Sequence, residues 1–543
     1  MQDMKKKLII LGIFLSAVTI SSCVKDLNVT PKDPDQILAG NLGDEPEYMQ
    51  MVLGKIYASF MIPGQGPNGG DDIASSDGNF FTTIRALWNL QQLPTDEAIC
   101  AWGDVGIADL NTQTWSPSNP FLTALFQRLS LSITYANDFI QLTNDDPDPD
   151  VQRYNAEARF LRSLAYFWAI DLFGQFPFTT DEDGVGKFFP EIQTREYIFN
   201  YVESELKAII PLLGEPGFSY PQADKGSAWM LLARLYLNAE VYTGTPRWSD
   251  CKAYCDTVIT NGAYSLADDY RQNFSADNDY NSNPEMIFAF EQDGVNTQGY
   301  VGTTFIIESS SDPVYLPAED YHGLTENTNW NGNRARIQFL DLMIDTMAVY
   351  GGPIDPTDLE FSASPDSRVY LKRKKTLNIP SASSSGDYGV GVYKFTARNA
   401  DGTLPANYNP AYACTDYPVF RLADAYMMRA EAFHNLGNDD GAADDINVIR
   451  LRAYGNDDGN IDAGDVTAEF LMKERGREFY YEGMRRSDLV RFGQFTSGTY
   501  VWQWKGGIYE GTQTSSHLDI YPIPADEVSA NPNYGGQNNP GYN

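Results

Sequence analysis

The chain has 543 residues, and 73 acidic against 39 basic side chains give it a net charge of −34. Nucleic-acid binding needs Lys and Arg clustered around phosphates, and a field of this sign repels a polyanion, so the composition argues against nucleic-acid partners. Aromatic residues make up 13% of the chain, and rings beyond those that fill a core are typical of recognition by flat apolar faces. His322, His434 and His517 lie far apart, which disfavours a multi-histidine zinc centre.

The first residues have the order of an export signal. Three lysines at 5–7 precede an apolar run over 8–20, and two serines lead to Cys23. A helix that crosses a bilayer needs about 20 residues, so this shorter run predicts a signal peptide over 1–22. Two serines before a cysteine resemble a bacterial lipoprotein lipobox. The resemblance implies that Cys23 is lipidated, that 23–45 contain a tether, and that acyl chains hold the protein at a membrane.

Two parts of the chain, about 121–262 and 417–495, carry the apolar periodicity of helices. In both, small alanines alternate at helical spacing with large apolar residues, a pattern that lets helix backbones approach closely. The stretch LADAYMMRAEAFHNLGN ends at Gly437 and leads into a second helix, as in a tetratricopeptide repeat. Residues 225–242 and 249–261 predict a second such pair. Any all-helical layer gives similar patterns, so periodicity alone leaves both interpretations open.

Two long stretches, 63–120 and 263–416, are rich in Asn, Asp, Ser, Gly and Pro. Runs with strand character interrupt the second stretch at Met286–Phe290, 303–307 and 390–395. We therefore predict a mostly α-helical fold with one large domain over 46–543, in which a tetratricopeptide-like scaffold carries two loop-rich insertions with short β-hairpins. The prolines of IYPIP predict an extended C-terminal closure over 518–543. Insertions this long are usually functional.

Four cysteines lie beyond Cys23, at positions 100, 251, 255 and 414. Cys251 and Cys255 are spaced to share one helix face, which is poor geometry for a disulfide and supplies only half of a zinc site. We predict buried free thiols.

Five stretches, together with Cys23, resemble the SusD/RagB family and run in family order. They are RFLRSLAYFWAIDLFGQFPFTT from Arg159, KGSAWMLLARLYLNAEVYTG from Lys225, YPVFRLADAYMMRAEAFHNLGN from Tyr417, LMKERGREFYYEGMRRSDLVRFG from Leu471 and IYPIPADEVSANPNYGGQNNPGY from Ile520. The resemblance implies a surface-exposed outer-membrane lipoprotein of Bacteroidetes with tetratricopeptide-like helices. Such proteins bind oligosaccharides or polysaccharides without cleaving them and cap a SusC-like TonB-dependent transporter for nutrient uptake.

The resemblance also implies a glycan-binding site in the insertions. Sugars present patches of CH groups, which aromatic planes cover, and hydroxyls, which Asp, Asn and Arg satisfy. Similarity to the family's starch-binding founding member indicates an aromatic arc with polar partners, made of Trp102, Trp330, Tyr300, Asp77 and Arg85. The loops that carry these residues vary in type, and roles as buried or rim-packing side chains remain the alternative.

A weak calcium candidate lies near the C-terminal helices. Asp458, Asn460, Asp462 and Glu469 occupy positions 1, 3, 5 and 12 of an EF-hand loop, but position 6 is Ala463 where the sharp turn needs Gly. The pattern favours a solvated acidic turn, and the sequence implies no other cofactor.

Two other functions stay open. A secreted glycoside hydrolase would use two carboxylates about 5–9.5 Å apart. The acidic residues at 474–491 alternate with arginines at helical spacing, which predicts scaffold ion pairs on a helix face rather than a catalytic pair. A peptide-binding module of tetratricopeptide type is the third alternative.

Overall fold

The structure, a computed structural model, describes residues 46–64, 72–73, 81–183, 189–344, 349 and 355–542. The predicted signal peptide, the lipidation at Cys23 and the tether lie outside these residues and stay predictions. Contacts within the chain divide it into two units, Met1–Met49 and Gln50–Asn543, and apart from the first residues of the N-terminal helix the features below belong to the second. None of the helices in the described ranges is long and apolar enough to cross a membrane.

Helices predominate among the described elements. The α-helices are α1 (Pro46–Met61), α2 (Thr83–Gln92), α3 (Ile107–Thr112), α4 (Pro120–Thr143), α5 (Pro149–Leu172), α6 (Arg195–Ile209), α7 (Lys225–Leu237), α8 (Ala239–Thr243), α9 (Trp248–Asn261), α10 (Gly302–Ser310), α11 (Ala318–Tyr321), α12 (Ile337–Met343), α13 (Leu422–Asn435), α14 (Asp439–Tyr454), α15 (Ala468–Phe479), α16 (Arg485–Arg491) and α17 (Ala525–Ala530). The strands are β1 (Ile99–Cys100), β2 (Phe176–Phe178), β3 (Glu191–Gln193), β4 (Met286–Phe290), β5 (Asn333–Arg334), β6 (Leu371–Arg373), β7 (Val390–Val392) and β8 (Tyr417–Arg421). Short 3₁₀ turns cover Asp181–Asp183, Tyr270–Phe274, Asp457–Gly459, Ala463–Asp465, Lys505–Gly507, Ser516–Asp519 and Pro532–Tyr534.

The helices of the two periodic parts pack in sequence order. Helix α4 contacts α5, α5 contacts α6, α7 contacts α9, α9 contacts α13, and α13 contacts α14. The pairs α7 with α9 and α13 with α14 are the two predicted helix–turn–helix units, so the helical scaffold is confirmed. The contact of α9 with α13 joins the two parts across the second insertion.

Small residues lie where α13 and α14 meet. Ala423, Ala430 and Ala442 are fully buried, which lets the two helix backbones approach. Gly437 then turns the chain with φ of 78°, a conformation that costs glycine little and other residues more. Asn438 caps α14 by accepting a backbone N–H of its first turn. Local sequence signals therefore define this pair.

Two of the four strand pairs in the described ranges join strands that are far apart in the sequence. Strand β1 pairs with β5 and β4 pairs with β8, both antiparallel. Strands β6 and β7 are paired neighbours within the second insertion, where short hairpins are predicted, whereas β2 pairs with β3 inside the part predicted as helical scaffold. Strand β4 is the predicted run Met286–Phe290, and β7 begins the predicted run at 390.

The predicted strand character of 303–307 is wrong, because these residues form helix α10. Its β-branched residues favour a strand. Burial of the segment and a hydrogen bond with a residue outside it stabilise the helix instead. The side-chain oxygen of Gln292 accepts the backbone N–H of Thr303 at 2.5 Å and also its hydroxyl, so it satisfies donors that a helix leaves free at its first turn.

The first insertion is also less loop-like than predicted. Every residue of α2 is buried, and Trp88 donates its ring N–H to the carbonyl of Tyr481 at 2.9 Å. This helix therefore belongs to the core, and its partners lie almost 400 residues away in the sequence.

The C-terminal IYPIP segment lies extended against the helices. Tyr521 is fully buried, donates its backbone N–H to Leu172 at 2.8 Å and donates its hydroxyl to Leu90 at 2.7 Å. The segment thereby connects the ends of α5 and α2, although α17 follows it and makes the closure helical in part.

The four cysteines of the described chain are buried free thiols, as predicted. Burial raises the pKa of the Cys100 thiol to about 12. A thiol that stays protonated is a poor nucleophile, so Cys100 has a packing role.

The interleaved charges of 474–491 form ion pairs, but these are buried and do not lie on a solvated helix face. Glu478 of α15 is fully buried and pairs with Arg368 at 3.2 Å, with Arg421 at 2.6 Å and with Arg452. Burial alone would raise the pKa of this carboxyl, but the three guanidinium charges lower it well below its ordinary value. The partners come from the second insertion, from β8 and from α14, so this one carboxylate connects three regions.

Neighbouring carboxylates are held in the same way. Burial opposes the charge of Glu474, yet Arg368, Arg477 and Arg450 bring the pKa of Glu474 down to about 2. Further buried pairs are Asp96 with Arg485, Asp424 with Arg234 and Arg475, Asp488 with Arg475 and Arg491, and Glu482 with Arg421 and Lys394. These acids are structural, which removes the interleaved segment as a catalytic carboxylate pair.

Removing the charge at Glu478 tests the importance of this network. Glu478→Gln leaves three buried arginines undercompensated, and we expect the free energy of unfolding to fall by about 3–5 kcal/mol in urea denaturation followed by circular dichroism. The matched control is Glu469→Gln, because Glu469 is exposed and pairs with Lys473 at 2.6 Å on the surface. Its loss should stay within about 1 kcal/mol. Equally small losses in both variants would contradict a structural role for the buried pairs.

Candidate functional site

The pairing of β1 with β5 brings two of the predicted aromatic residues together. Ile99 lies opposite Arg334, and the backbone N–H of Ala101 donates to the carbonyl of Gly332 at 2.9 Å. Trp102 follows one strand and Trp330 precedes the other. A Cβ at Gly332 would lie 2.3 Å from the Trp102 indole, so glycine is required for this approach.

Trp102, Trp330 and Tyr300 form a row of half-buried rings. The ring centroids of Trp102 and Trp330 are 6.1 Å apart, and those of Trp330 and Tyr300 are 5.4 Å apart. Trp102 donates its ring N–H to the carbonyl of Trp330 at 3.0 Å, and Asn327 donates its side-chain amide to the Tyr300 hydroxyl at 2.7 Å. The structure therefore brings the three predicted rings together, over more than 220 residues of sequence.

The loop that carries Trp330 is held by the end of helix α10. The backbone N–H groups of Trp330 and Gly332 donate to the carbonyls of Glu308 and Ser309, at 3.1 and 2.8 Å. Carbonyls at the end of a helix have no partner within it, so the loop satisfies them. Asn327, Asn329 and Asn331 adopt positive φ values of 55°, 64° and 50°, which asparagine tolerates better than most residues. The asparagines flanking Trp330 thus shape its turn.

Glu308 lies beneath this turn. Its side chain is buried, and its Oε2 accepts the backbone N–H of Asn329 and the hydroxyl of Ser311, at 3.1 and 3.3 Å. Within the described structure its other carboxyl oxygen has no hydrogen-bond partner. Burial raises the pKa of Glu308 to about 8, against the lowering effect of those two hydrogen bonds. The carboxyl is therefore mostly protonated at neutral pH.

Arg85 lies behind the rings rather than beside a ligand. Only 4% of its surface is exposed, and it donates to the carbonyl of Tyr300 at 3.0 Å. Its guanidinium lies 4.4 Å from the centroid of Phe305 and 5.9 Å from that of Trp102. In this position Arg85 supports the row, since its distances suit cation–π contacts. Asp77, the remaining predicted polar partner, lies outside the described residues.

Tyr412 is a residue that the sequence analysis missed. Its half-buried ring lies 5.5 Å from Tyr300, measured between centroids. It lies in the second insertion, just before β8, in the segment ANYNPAYAC. The one sequence signal for a binding role is that aromatic residues occur there among Asn and Pro. The ring that Tyr412 contacts, Tyr300, is more than 100 residues away in the sequence, so local pattern cannot assign Tyr412 to the row.

The calcium candidate is not assembled in the structure. Among the described residues, no group of three or more His, Cys, Asp or Glu side chains is placed to hold a metal ion. Glu469 pairs with Lys473, and Asp458 accepts the side-chain amide of Asn456 at 3.0 Å. Asp462 lies with Asp465 in a capped 3₁₀ turn. Position 6 of the loop is Ala463 and not glycine, and the chain forms this 3₁₀ turn where an EF-hand loop would turn sharply around the ion. Asn460, before the turn, is exposed.

The structure thus combines a helical scaffold, whose interleaved acids are held in ion pairs, with a row of half-buried rings, and known proteins share this fold. The model of the SusD family matches residues 260–542. The starch-binding protein SusD of Bacteroides thetaiotaomicron is 33% identical, over 96% of each chain. SusD-like protein P25 of Formosa agariphila is 24% identical, over 78% of this chain and 79% of its own. The chain belongs to the SusD family.

Solved structures agree on the fold. Surface glycan-binding protein A from Bacteroides thetaiotaomicron, in complex with laminarihexaose, matches with a TM-score of 0.66 at 17% identity and covers 91% of this chain and 99% of that one. A laminarin-binding SusD-like protein has the same TM-score at 20% identity and covers 92% and 99%. Family members are non-catalytic, cell-surface carbohydrate-binding proteins, so this chain is not an enzyme.

The buried carboxyl beneath the Trp330 turn predicts a pH dependence of stability. The pKa of Glu308 is raised from 4.5 to about 8 on folding, so the folded state binds a proton that the unfolded state loses between those values. Stability therefore falls as pH rises through this window. Glu308→Gln cannot ionise, so its melting temperature relative to the wild type should rise by about 2 °C or more between pH 5 and pH 8.5.

The control for this measurement is Glu326→Gln, in the loop that leads to Trp330, because Glu326 is exposed. Its melting temperature should differ from that of the wild type by the same amount at both pH values. A constant difference for Glu308→Gln as well would show that this carboxyl does not carry the pH dependence.

Proposed function

We propose that this chain is a surface-exposed, lipid-anchored protein of the outer membrane that binds neutral glucan of the starch type and delivers oligosaccharides to a SusC-like TonB-dependent transporter. The observation that carries the proposal is the row of Trp102, Trp330 and Tyr300. The 33% identity to a starch-binding relative over 96% of both chains supports starch as the substrate class.

The geometry of the row suits a sugar chain. Three half-buried rings lie at intervals of 5.4–6.1 Å and are tilted by 54° and 69° from one ring to the next, so their apolar surfaces for the CH groups of sugars stand at an angle to one another. The exposed Asn327 amide and the Tyr300 hydroxyl lie at their edge, where sugar hydroxyls need hydrogen-bond partners. Because the loops are held by backbone hydrogen bonds, little ordering is needed when a ligand binds.

Charge favours a neutral ligand over a sulfated or uronic one. Arg85, Arg334 and Arg336, the basic residues nearest the rings in sequence, are buried, and each donates to at least one backbone carbonyl. Asp104 and Glu326 are exposed close to Trp102 and Trp330 in the chain. Together with the net charge of −34, they repel anionic polymers.

Affinity electrophoresis of the protein from residue 24 onward tests the binding. We expect starch to retard the wild type, with weaker retardation by laminarin and none by pectin, an anionic polymer. Trp102→Ala and Trp330→Ala should lose retardation because each removes a stacking surface, and Trp248→Ala, a half-buried tryptophan of the scaffold, is the matched control. Melting temperatures should report that each variant is folded.

Three outcomes would contradict the proposal. Release of oligosaccharides from the gel polysaccharide would indicate a hydrolase. No retardation in any neutral glycan would contradict glycan binding. Equal retardation of Trp330→Ala and Trp248→Ala would show that the aromatic row is not the binding site.

Anchoring is tested at Cys23. Full-length protein expressed in a Bacteroidetes host should incorporate labelled palmitate and fractionate with the outer membrane, because acyl chains bury in the bilayer. Cys23→Ala should lose the label and leave that fraction, whereas Cys100→Ala should keep both.

Delivery to the transporter is tested by co-purification from solubilised outer membranes, in which the wild type should bring down a TonB-dependent protein.

A further inference from the structure

The segment that carries Tyr412 is fixed to both loops that carry the predicted rings. Asn409 donates its side-chain amide to the carbonyl of Gly294 at 2.9 Å, which ties the segment to the loop before Tyr300. The carbonyl of Pro410 accepts the backbone N–H groups of Thr325 and Glu326, at 2.9 and 3.0 Å, which ties it to the loop before Trp330. The position of Tyr412 is therefore set together with the other two rings.

Two further contacts hold the same segment from its other sides. Asn407 donates to the carbonyl of Asp293 at 3.1 Å, and the backbone N–H of Ala413 donates to the hydroxyl of Thr304 on α10 at 2.9 Å. The carboxylate of Asp293 in turn accepts the backbone N–H of Asn296 at 2.7 Å and orders its turn. Tyr412 thus projects from a segment whose polar groups are largely bonded to its neighbours.

Among the described residues, Tyr412 continues the row at the Tyr300 end and no half-buried ring is seen next to Trp102 other than Trp330. The further ring against Trp102 is Phe305, which is fully buried and cannot reach a ligand. Beyond Tyr300 the next ring is Tyr412, half-buried, at a centroid distance of 5.5 Å that matches the spacing of the preceding pair. Within the described ranges, Tyr412 is therefore the ring that lengthens the row.

The chemistry at this end matches the rest of the row. Burial and the nearby Tyr412 hydroxyl raise the pKa of Tyr300, so its phenol stays neutral and keeps its proton for donation. The Asn327 amide donates to the same phenol. Two phenols and an amide next to two ring surfaces form the combination of apolar face and hydroxyl partners that a further sugar unit requires.

Resting on the proposed glycan binding, we infer that Tyr412 is a fourth ring of the site and provides a subsite for a sugar unit beyond the one at Tyr300. The protein then prefers long glucan chains to short ones, because only a chain that spans all four rings gains the contact with Tyr412.

Isothermal titration with maltotriose and maltoheptaose, short and long fragments of starch, tests this inference. Tyr412→Ala should weaken maltoheptaose binding by about five- to tenfold, the effect of one aromatic contact. It should change maltotriose binding by less than about twofold, because a short chain still finds three rings. Tyr412→Phe keeps the ring and should stay close to the wild type. Tyr509→Ala, a partly exposed tyrosine packed on Trp504, is the control for loss of a tyrosine elsewhere.

The outcomes separate this inference from the function on which it rests. Equal weakening of both ligands by Tyr412→Ala, or of neither, would overturn the fourth subsite while Trp330→Ala still abolishes binding. No binding of either ligand by the wild type would overturn the starch-type proposal, and the fourth subsite with it. A melting temperature of Tyr412→Ala equal to that of Tyr412→Phe would show that the loss comes from the ligand contact and not from unfolding.

Discussion

The buried carboxylate of Glu478 is the constraint on which the rest of the structure depends. It pairs with arginines from β8, from α14 and from the second insertion, and each of these arginines has further acidic partners. A buried ion pair gains little over an apolar contact of the same size, but a missing partner leaves an uncompensated charge in the interior. The three regions can therefore pack only in the arrangement that satisfies all the charges together. The network specifies how the insertion meets the scaffold more than it adds stability.

The same buried polar system extends to the ring site through helix α2. Arg485 pairs with Asp96 at 2.9 Å just after this helix, and Trp88 within it donates to the backbone of Tyr481. One turn earlier, Arg85 lies against Trp102 and holds the carbonyl of Tyr300. Because every residue of α2 is buried, packing against the scaffold fixes the position of this helix. Arg85 lies on α2 and contacts both Trp102 and the backbone of Tyr300, so it fixes these rings relative to the helix. The site is thus preorganised by the core rather than by the loops alone.

What the sequence predicts well is what local patterns determine. The helix pairs follow from alanine spacing, from the turn at Gly437 and from the cap at Asn438, all within a few residues of the elements they define. Helix α10 was missed because its cap is the side chain of Gln292, which local propensity does not include. The burial of the charged segment was missed for a related reason, since its partners lie up to several hundred residues away. Family resemblance supplied three rings, but Tyr412 needed the spatial contact with Tyr300.

The division between buried ion pairs and surface rings has a consequence for how ligand preference can change. The backbone around Tyr412 is held by hydrogen bonds between main-chain groups and by the side chain of Asn409, whereas the turn at Trp330 is held in part by the ring N–H groups of Trp102 and Trp330. Replacing Tyr412 therefore alters the surface of the row while the segment beneath it keeps its partners. A single charge of the core, in contrast, cannot change without leaving others unpaired. The scaffold is consequently rigid toward substitution, whereas the end of the row at Tyr412 is permissive, so under the proposed glycan binding the length of chain that is preferred can change at this ring on one fold.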